Sequence, residues 1–378
     1  MWTYVIPISV LSATIIGAGI FSLPYVFSEA GFLIGIGYLF VFGFAVSLVH
    51  LMYADIIIRT DREPKFVDYA RIYLGEWSFL PAVFLAVFGA LFGNTIYLVL
   101  APKFTSLVFS GANELAAIIL FWSLGAIAIF FNVKLLGIVE VLVNAGMFFI
   151  VGILFVLGLR NIMEFSFFRD ILSGVDFRSF FLPFGPVLFS LYGRSAIPSL
   201  LESFDNMGVF SKINASIWGG TLFPAMLYGL FVVGVLGLSP EVSKDAVSGL
   251  ASVSGALLVM VGIFGLLALY STYIVIGIAV KDILQSDLRV SHPFSVSLVI
   301  FTPILIYFFG LRDFLQLVSI SGGVFTALEI LFILGIWRKL NVLQKPKALF
   351  SGFSSRIAYA IAPLFIFGLC YELYFIFY

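Results

Sequence analysis

Apolar residues along this chain come in long runs separated by short polar or Pro/Gly-containing turns. A helix needs about 20 mostly apolar residues to cross the hydrocarbon core of a bilayer. Eleven such runs are present, at roughly 4–27, 31–58, 78–109, 113–131, 137–159, 180–203, 214–238, 254–284, 293–310, 313–337 and 355–378. The first is too long, and too poorly matched to a small-residue cleavage site, to read as a removable signal peptide. No stretch between runs is long enough for a soluble domain; the longest are Arg59–Trp77, Arg160–Ser179 and Lys339–Ser354. In the first of these, Phe66, Tyr69, Ala70 and Tyr73 stand at helical spacing and predict a helix along the interface. The pattern predicts an all-α membrane protein with 11 transmembrane helices in one domain, 1–378.

Composition narrows the function. The chain is 62% apolar, carries 45 Phe, and is only 11% charged, less than half of the roughly 25% usual in soluble domains. That excludes a soluble enzyme. Twenty basic and 20 acidic residues balance, so there is no basic face for nucleic acid. Cys370 alone makes no disulfide framework, and His50 and His292 stand apart from any zinc-ligand spacing. No Gly-x-Ser-x-Gly, His-Glu-x-x-His or phosphate loop occurs, so the chain is expected to be neither an intramembrane enzyme nor an ATP-driven pump, and to need no cofactor. Repeated pore loops or charge rings, the marks of a channel, are not seen. An ion channel, or a transporter of another small amine or organic cation, is the alternative to the reading below.

Lys and Arg set orientation, because they concentrate in cytoplasmic loops. One set of alternate loops carries thirteen: Arg59, Arg62, Lys65, Arg71, Lys134, Lys212, Lys281, Arg289, Arg338, Lys339, Lys345, Lys347 and Arg356. The other carries six, Lys103, Arg160, Arg169, Arg178, Lys244 and Arg312, and Arg194 lies inside a span. The N-terminus is therefore expected in the cytoplasm and the C-terminus outside, with the chain in the cell membrane as a monomer or weak oligomer.

Two spans carry the same interruption. Span 1 holds Gly17-Ala18-Gly19-Ile20-Phe21-Ser22-Leu23-Pro24, and span 6 holds Gly193-Arg194-Ser195-Ala196-Ile197-Pro198, each with Gly to Pro at five residues. Glycine loosens a helix and proline removes a backbone donor. Five spans apart, the two cross in opposite senses, and such a pair in inverted halves points to a transporter's central site. Breaking both helices frees N–H groups after Gly17, a positive site for a carboxylate. It also frees carbonyls near Ser190, Leu191 and Tyr192, a negative site for an ammonium. A zwitterionic amino acid satisfies both.

The segments IIGAGIFSLPYVF, FGPVLFSLYGRSAIPSL in span 6 and LLALYSTYIVIGIAVKDIL in span 8 resemble the amino acid/auxin permease family, part of the amino acid–polyamine–organocation superfamily. The resemblance covers spans 1 to 10. It implies two inverted five-helix repeats, about 1–160 and 178–338, with broken helices 1 and 6 and an extra C-terminal helix, 355–378. It implies cation-coupled symport of an amino acid by alternating access. Thr14, Ala18 and Gly19, beside Gly17, would hold the substrate carboxylate, with Ser190 and Tyr192, beside Gly193, near its ammonium. Span 3 lines the site in that fold, so Tyr97, in the polar patch with Asn94 and Thr95, either caps the carboxylate or makes an ordinary interhelical hydrogen bond. In sodium-coupled branches, the carbonyls of Ala13, Ile16 and Ala268 and the hydroxyls of Ser271 and Thr272 would cage sodium; the opposing reading is that these hydroxyls bond back to their own helix. Some proton-coupled relatives place a span 5 lysine there. Residues 138–158 contain none, and Asn144 is their main polar group.

Arg194 is charged at mid-membrane, where charge is costly and by default functional. It is either a counter-ion facing the pocket or the partner of Glu329, the one deep carboxylate this reading finds. Glu329 is also the candidate proton carrier. Trp122, Trp218 and Trp337 are expected at the interface, and His50, beside Asp55, is expected to be structural.

Overall fold

In hydrocarbon every backbone amide must find its partner within the chain, which favours helix over any open edge. The computed structural model describes residues 2–60, 66–131, 137–162, 177–204, 210–239, 241–252, 254–343, 349 and 356–377. Among them every regular element is a helix. Arg62, Lys65, Lys134, Arg169, Lys345 and Lys347, used above for orientation, lie outside the described residues, as do the side chains of Asn144 and Arg160.

The helices run α1 (Trp2–Ile15), α2 (Leu23–Ala30), α3 (Phe32–Arg59) and α4 (Phe66–Leu74), then α5 (Glu76–Val108), α6 (Glu114–Phe130) and α7 (Gly137–Ile162). The second half holds α8 (Phe184–Leu191), α9 (Ile197–Glu202), α10 (Phe210–Leu238), α11 (Gly255–Ser286) and α12 (His292–Phe308), then α13 (Phe314–Leu343) and α14 (Ile357–Phe377). Seven helices are long and apolar enough to cross a membrane, and the bent pair Tyr4–Ile15 and Ala18–Ala30 makes an eighth. Three more apolar helices, Glu114–Phe130, Ala145–Leu159 and His292–Phe308, are shorter. The two of 17 residues rise only about 25 Å, against a hydrocarbon core of about 30 Å. By length the described residues thus account for eight crossings, against the eleven predicted.

Both interruptions are visible. Span 1 leaves helical geometry at Gly17, which is extended at φ −138° and ψ −153°, resumes as a 3-10 turn over Ala18–Ser22, and bends by 50°. Span 6 stops at Leu191, passes through Tyr192 and Gly193, and resumes over Arg194–Ala196. The two breaks touch: a Cβ on Gly19 would lie 2.8 Å from Ser190 Cα. Only glycine lets the backbones approach so closely.

Two expectations are corrected. α4 forms, but Phe66, Tyr69, Ala70 and Tyr73 are buried in the protein, so this face packs inward instead of lying on the interface. Trp337 is fully buried and donates to Asp55 Oδ2 at 2.8 Å. Asp55 also accepts from Arg59 at 3.0 Å, and Arg59 donates to Asn341 Oδ1 at 2.6 Å, which pins the end of α3 to α13. An indole N–H with a buried carboxylate in reach satisfies itself there. α14 also brings in a buried carboxylate, Glu372, which packs against Gly185 and Gly323.

Candidate functional site

The breaks open a cavity between α1, α5, α8 and α11, with a water-accessible volume of about 150 Å³. A single buried water needs about a tenth of that. Ala13, Thr14, Ile15, Ile16, Gly17, Ala18 and Gly19 form one wall, and Tyr97 comes from α5. Phe189, Tyr192 and Ser195 line it from the second break, and Ala268, Ser271, Thr272, Val275 and Ile276 from α11.

Local chain geometry explains what the first wall offers. Ala18 and Gly19 begin a 3-10 turn, and the first amides of a helix have no acceptor within it. Gly17 faces Tyr97: a Cβ there would meet Tyr97 Oη at 3.7 Å and little else. Thr14 Oγ1 donates to Val10 O at 3.2 Å, within its own helix.

The second break is held from α3. The Gly193 amide donates to His50 Nε2 at 3.1 Å, while His50 Nδ1 lies 3.0 Å from Thr221 Oγ1 of α10. Because Nε2 accepts, the ring proton sits on Nδ1. His50 is fully buried and stacks on Tyr192 with centroids 5.9 Å apart. It is structural, and what it supports is the break itself.

Of the predicted site residues, Thr14, Gly17, Ala18, Gly19, Tyr97 and Tyr192 line the cavity, and so do Ala13, Ile16, Ala268, Ser271 and Thr272. Ser190, Gly193, Arg194 and Glu329 do not. Ser190 turns its hydroxyl to Pro186 O at 2.6 Å, and its carbonyl lies 3.0 Å from the hydroxyl of Tyr228. Arg194 makes a two-pronged pair with Glu329, Nε to Oε2 at 3.0 Å and Nη2 to Oε1 at 3.2 Å. Its guanidinium stands 4.5 Å from the Phe66 ring centroid and 5.7 Å from that of Tyr53. Thr272 Oγ1 donates to Ala268 O at 3.0 Å, so in this state its proton is spent on a carbonyl of the same predicted cage.

Sequence reasoning missed Phe189, Val275 and Ile276 as apolar lining, and missed the Tyr228 and His50 contacts to the breaks. The signal available was position: Phe189 stands one helical turn before Gly193, and Tyr228 is a tyrosine deep within a span rather than at its end.

The cavity is asymmetric. Val275, which lines it from α11, is 44% exposed. On the α2 side, Phe21 packs against Phe104 at 4.8 Å and Phe231 at 5.8 Å, edge to face, all three buried. No group of three or more His, Cys, Asp or Glu that could hold a metal occurs among the described residues.

Residues 3–339 match the model of the tryptophan/tyrosine permease family. This overturns the resemblance to the amino acid/auxin permease family. The Gly-x-Gly…Pro interruption is a short local motif, and it does not by itself separate permease families. No curated protein matches the chain. Among solved structures, the inward-facing conformation of Mhp1 is similar with TM-score 0.64 and 15% identity, over 98% of this chain and 89% of that one. A manganese transporter of Eremococcus coleocola, in a mutant form, is similar with TM-score 0.62 and 13% identity, over 98% and 85%. The same transporter in complex with an aromatic bis-isothiourea compound gives 0.60 and 14%, over 97% and 84%. The fold is that of a membrane transporter, and the chain is not an enzyme.

Proposed function

The chain belongs to the tryptophan/tyrosine permease family, and on that premise we propose that it carries an aromatic amino acid across the membrane by alternating access. The observation that carries this reading is the cavity itself. The start of the 3-10 turn at Ala18 and Gly19 suits a carboxylate, the neighbouring break suits an ammonium, and Phe189, Val275 and Ile276 supply an apolar wall for a ring. The loop charges suggest an N-terminus in the cytoplasm. The same orientation takes the eleven apolar runs as eleven crossings, in two inverted repeats and an extra helix. A manganese substrate finds no support, since the cavity is lined by no carboxylate, imidazole or thiol among the described residues.

Labelled tryptophan, tyrosine and phenylalanine offered to proteoliposomes test the proposal. Uptake of at least one is expected, competed by other aromatic amino acids but not by tryptamine, which lacks the carboxylate. Absence of aromatic uptake in well-inserted protein, or equal competition by tryptamine, would overturn it.

Sodium is the coupling ion that the α11 wall supports, since the five predicted ligands share it with α1. Thr272 donates its proton to Ala268 O, and each of the two oxygens keeps a lone pair with which it would coordinate the ion. Glu329 is committed to Arg194, which disfavours it as a free proton carrier. Thr272→Ala should therefore raise the sodium concentration for half-maximal uptake by roughly tenfold, the scale of one lost contact of about 1.4 kcal/mol, and barely alter the maximal rate. Uptake indifferent to sodium but driven by a pH gradient would discard this coupling.

A further inference from the structure

Tyr228 lies fully buried within α10, where a phenol must find a partner. Its hydroxyl is 2.6 Å from the carbonyl of Ile15, the last residue of α1, and 3.0 Å from the carbonyl of Ser190, in the last turn of α8. Two backbone carbonyls, one from each broken helix, thus converge on one side-chain atom. The local side chains do not serve this role, because Thr14 and Ser190 spend their hydroxyls one turn back within their own helices.

We propose that Tyr228 is the positioning residue that fixes the two helix breaks relative to each other. It would thereby set the spacing between the amides of Ala18 and Gly19 and the carbonyls ending α8. A phenol carries one proton, so it serves the two carbonyls by turns and leaves the second with spare acceptor capacity. When the phenol turns to Ser190, that surplus lies at Ile15, which lines the cavity, and suits an arriving ammonium. The part of the inference that concerns substrate rests on the amino acid reading above; the part that concerns the breaks does not.

Two arms separate these. In the first, purified full-length Tyr228→Phe is compared with the unchanged protein by hydrogen–deuterium exchange and mass spectrometry. The ring is retained, so packing is preserved and only the hydroxyl is lost. Peptides covering 12–24 and 186–198 should exchange about tenfold faster, the scale of one hydrogen bond, with α12 unchanged. Ser12→Ala is the control. It removes another α1–α10 contact, Ser12 Oγ to Gly220 O at 3.2 Å, and should leave both breaks as they were. In the second arm, Tyr228→Phe should raise the KM for the aromatic amino acid about tenfold and keep the maximal rate within about twofold.

Unchanged exchange at both breaks would overturn the proposal, as would a fall in maximal rate with KM unchanged, the mark of a merely structural loss. If the unchanged protein takes up no aromatic amino acid, the transport reading fails and the exchange arm alone decides the role of Tyr228.

Discussion

Arg194→Phe is expected to destabilise the protein by about 3–5 kcal/mol, the scale seen when one partner of a buried ion pair is removed. The Arg194 and Glu329 side chains are only 15% and 9% exposed, and the two-pronged geometry satisfies both carboxylate oxygens. Without the guanidinium, Glu329 is left as a buried carboxylate with no cation. Phe66 and Tyr53, which now face the charge, would then pack against an apolar ring instead. The double change Arg194→Phe with Glu329→Leu should recover most of the loss, since a well-packed apolar pair often matches a buried ion pair. Thermal unfolding in detergent measures this. Because Arg194 turns away from the cavity, substrate preference of the remaining folded protein should not move. A stable Arg194→Phe variant with altered preference would restore Arg194 as a pocket counter-ion.

Gly17→Leu should lower uptake by roughly a hundredfold, a loss typical of mispositioned substrate, with stability changed by less than about 1 kcal/mol. The Gly17 backbone is extended, so any residue adopts it, and a side chain would project toward Tyr97 into the cavity. Gly19→Ala should behave in the opposite way. Its Cβ would be driven into the Ser190 backbone, an overlap costing about 1–3 kcal/mol, and activity would be lost through the fold. Uptake per folded molecule, read beside thermal unfolding, distinguishes the two. If Gly17→Leu transports normally, the first break is not where substrate binds.

These contrasts show which parts of the molecule were legible in sequence and which were not. The breaks were legible because their cause is local. Gly19 with Pro24 and Gly193 with Pro198 act on the helix that contains them. The α11 wall was legible in part, since Ala268, Ser271 and Thr272 share one helix. The partner of Arg194 could be narrowed to Glu329 by scarcity, because deep carboxylates are few. Three-dimensional pairings between distant spans were not legible. His50 reaches Gly193 across 143 positions, and Tyr228 reaches Ile15 across 213; a single polar residue in an apolar helix carries no sign of its partner. Trp337 was misplaced for the same reason, since an indole at a span end suits the interface or an inward carboxylate equally. α4 showed its apolar stripe but not what the stripe would face. The family was misread because the motif that stands out in the chain is short and local, whereas the family is matched over residues 3–339.

Under the coupling proposed above, the packed rings of Phe21, Phe104 and Phe231 bear on leakage. A transporter that spends an ion gradient must not let ions slip through while one face stands open. Three packed rings present only carbon to a hydrated cation, which would have to shed its water with nothing to replace it, a cost of many kcal/mol. Such a cluster would act as an insulator wherever it crosses the ion's path. It contains no charge for salt to screen and no group to titrate, unlike a gate built from an ion pair. Its tightness therefore depends on apolar contact, which weakens on cooling, and not on the ionic conditions on either side.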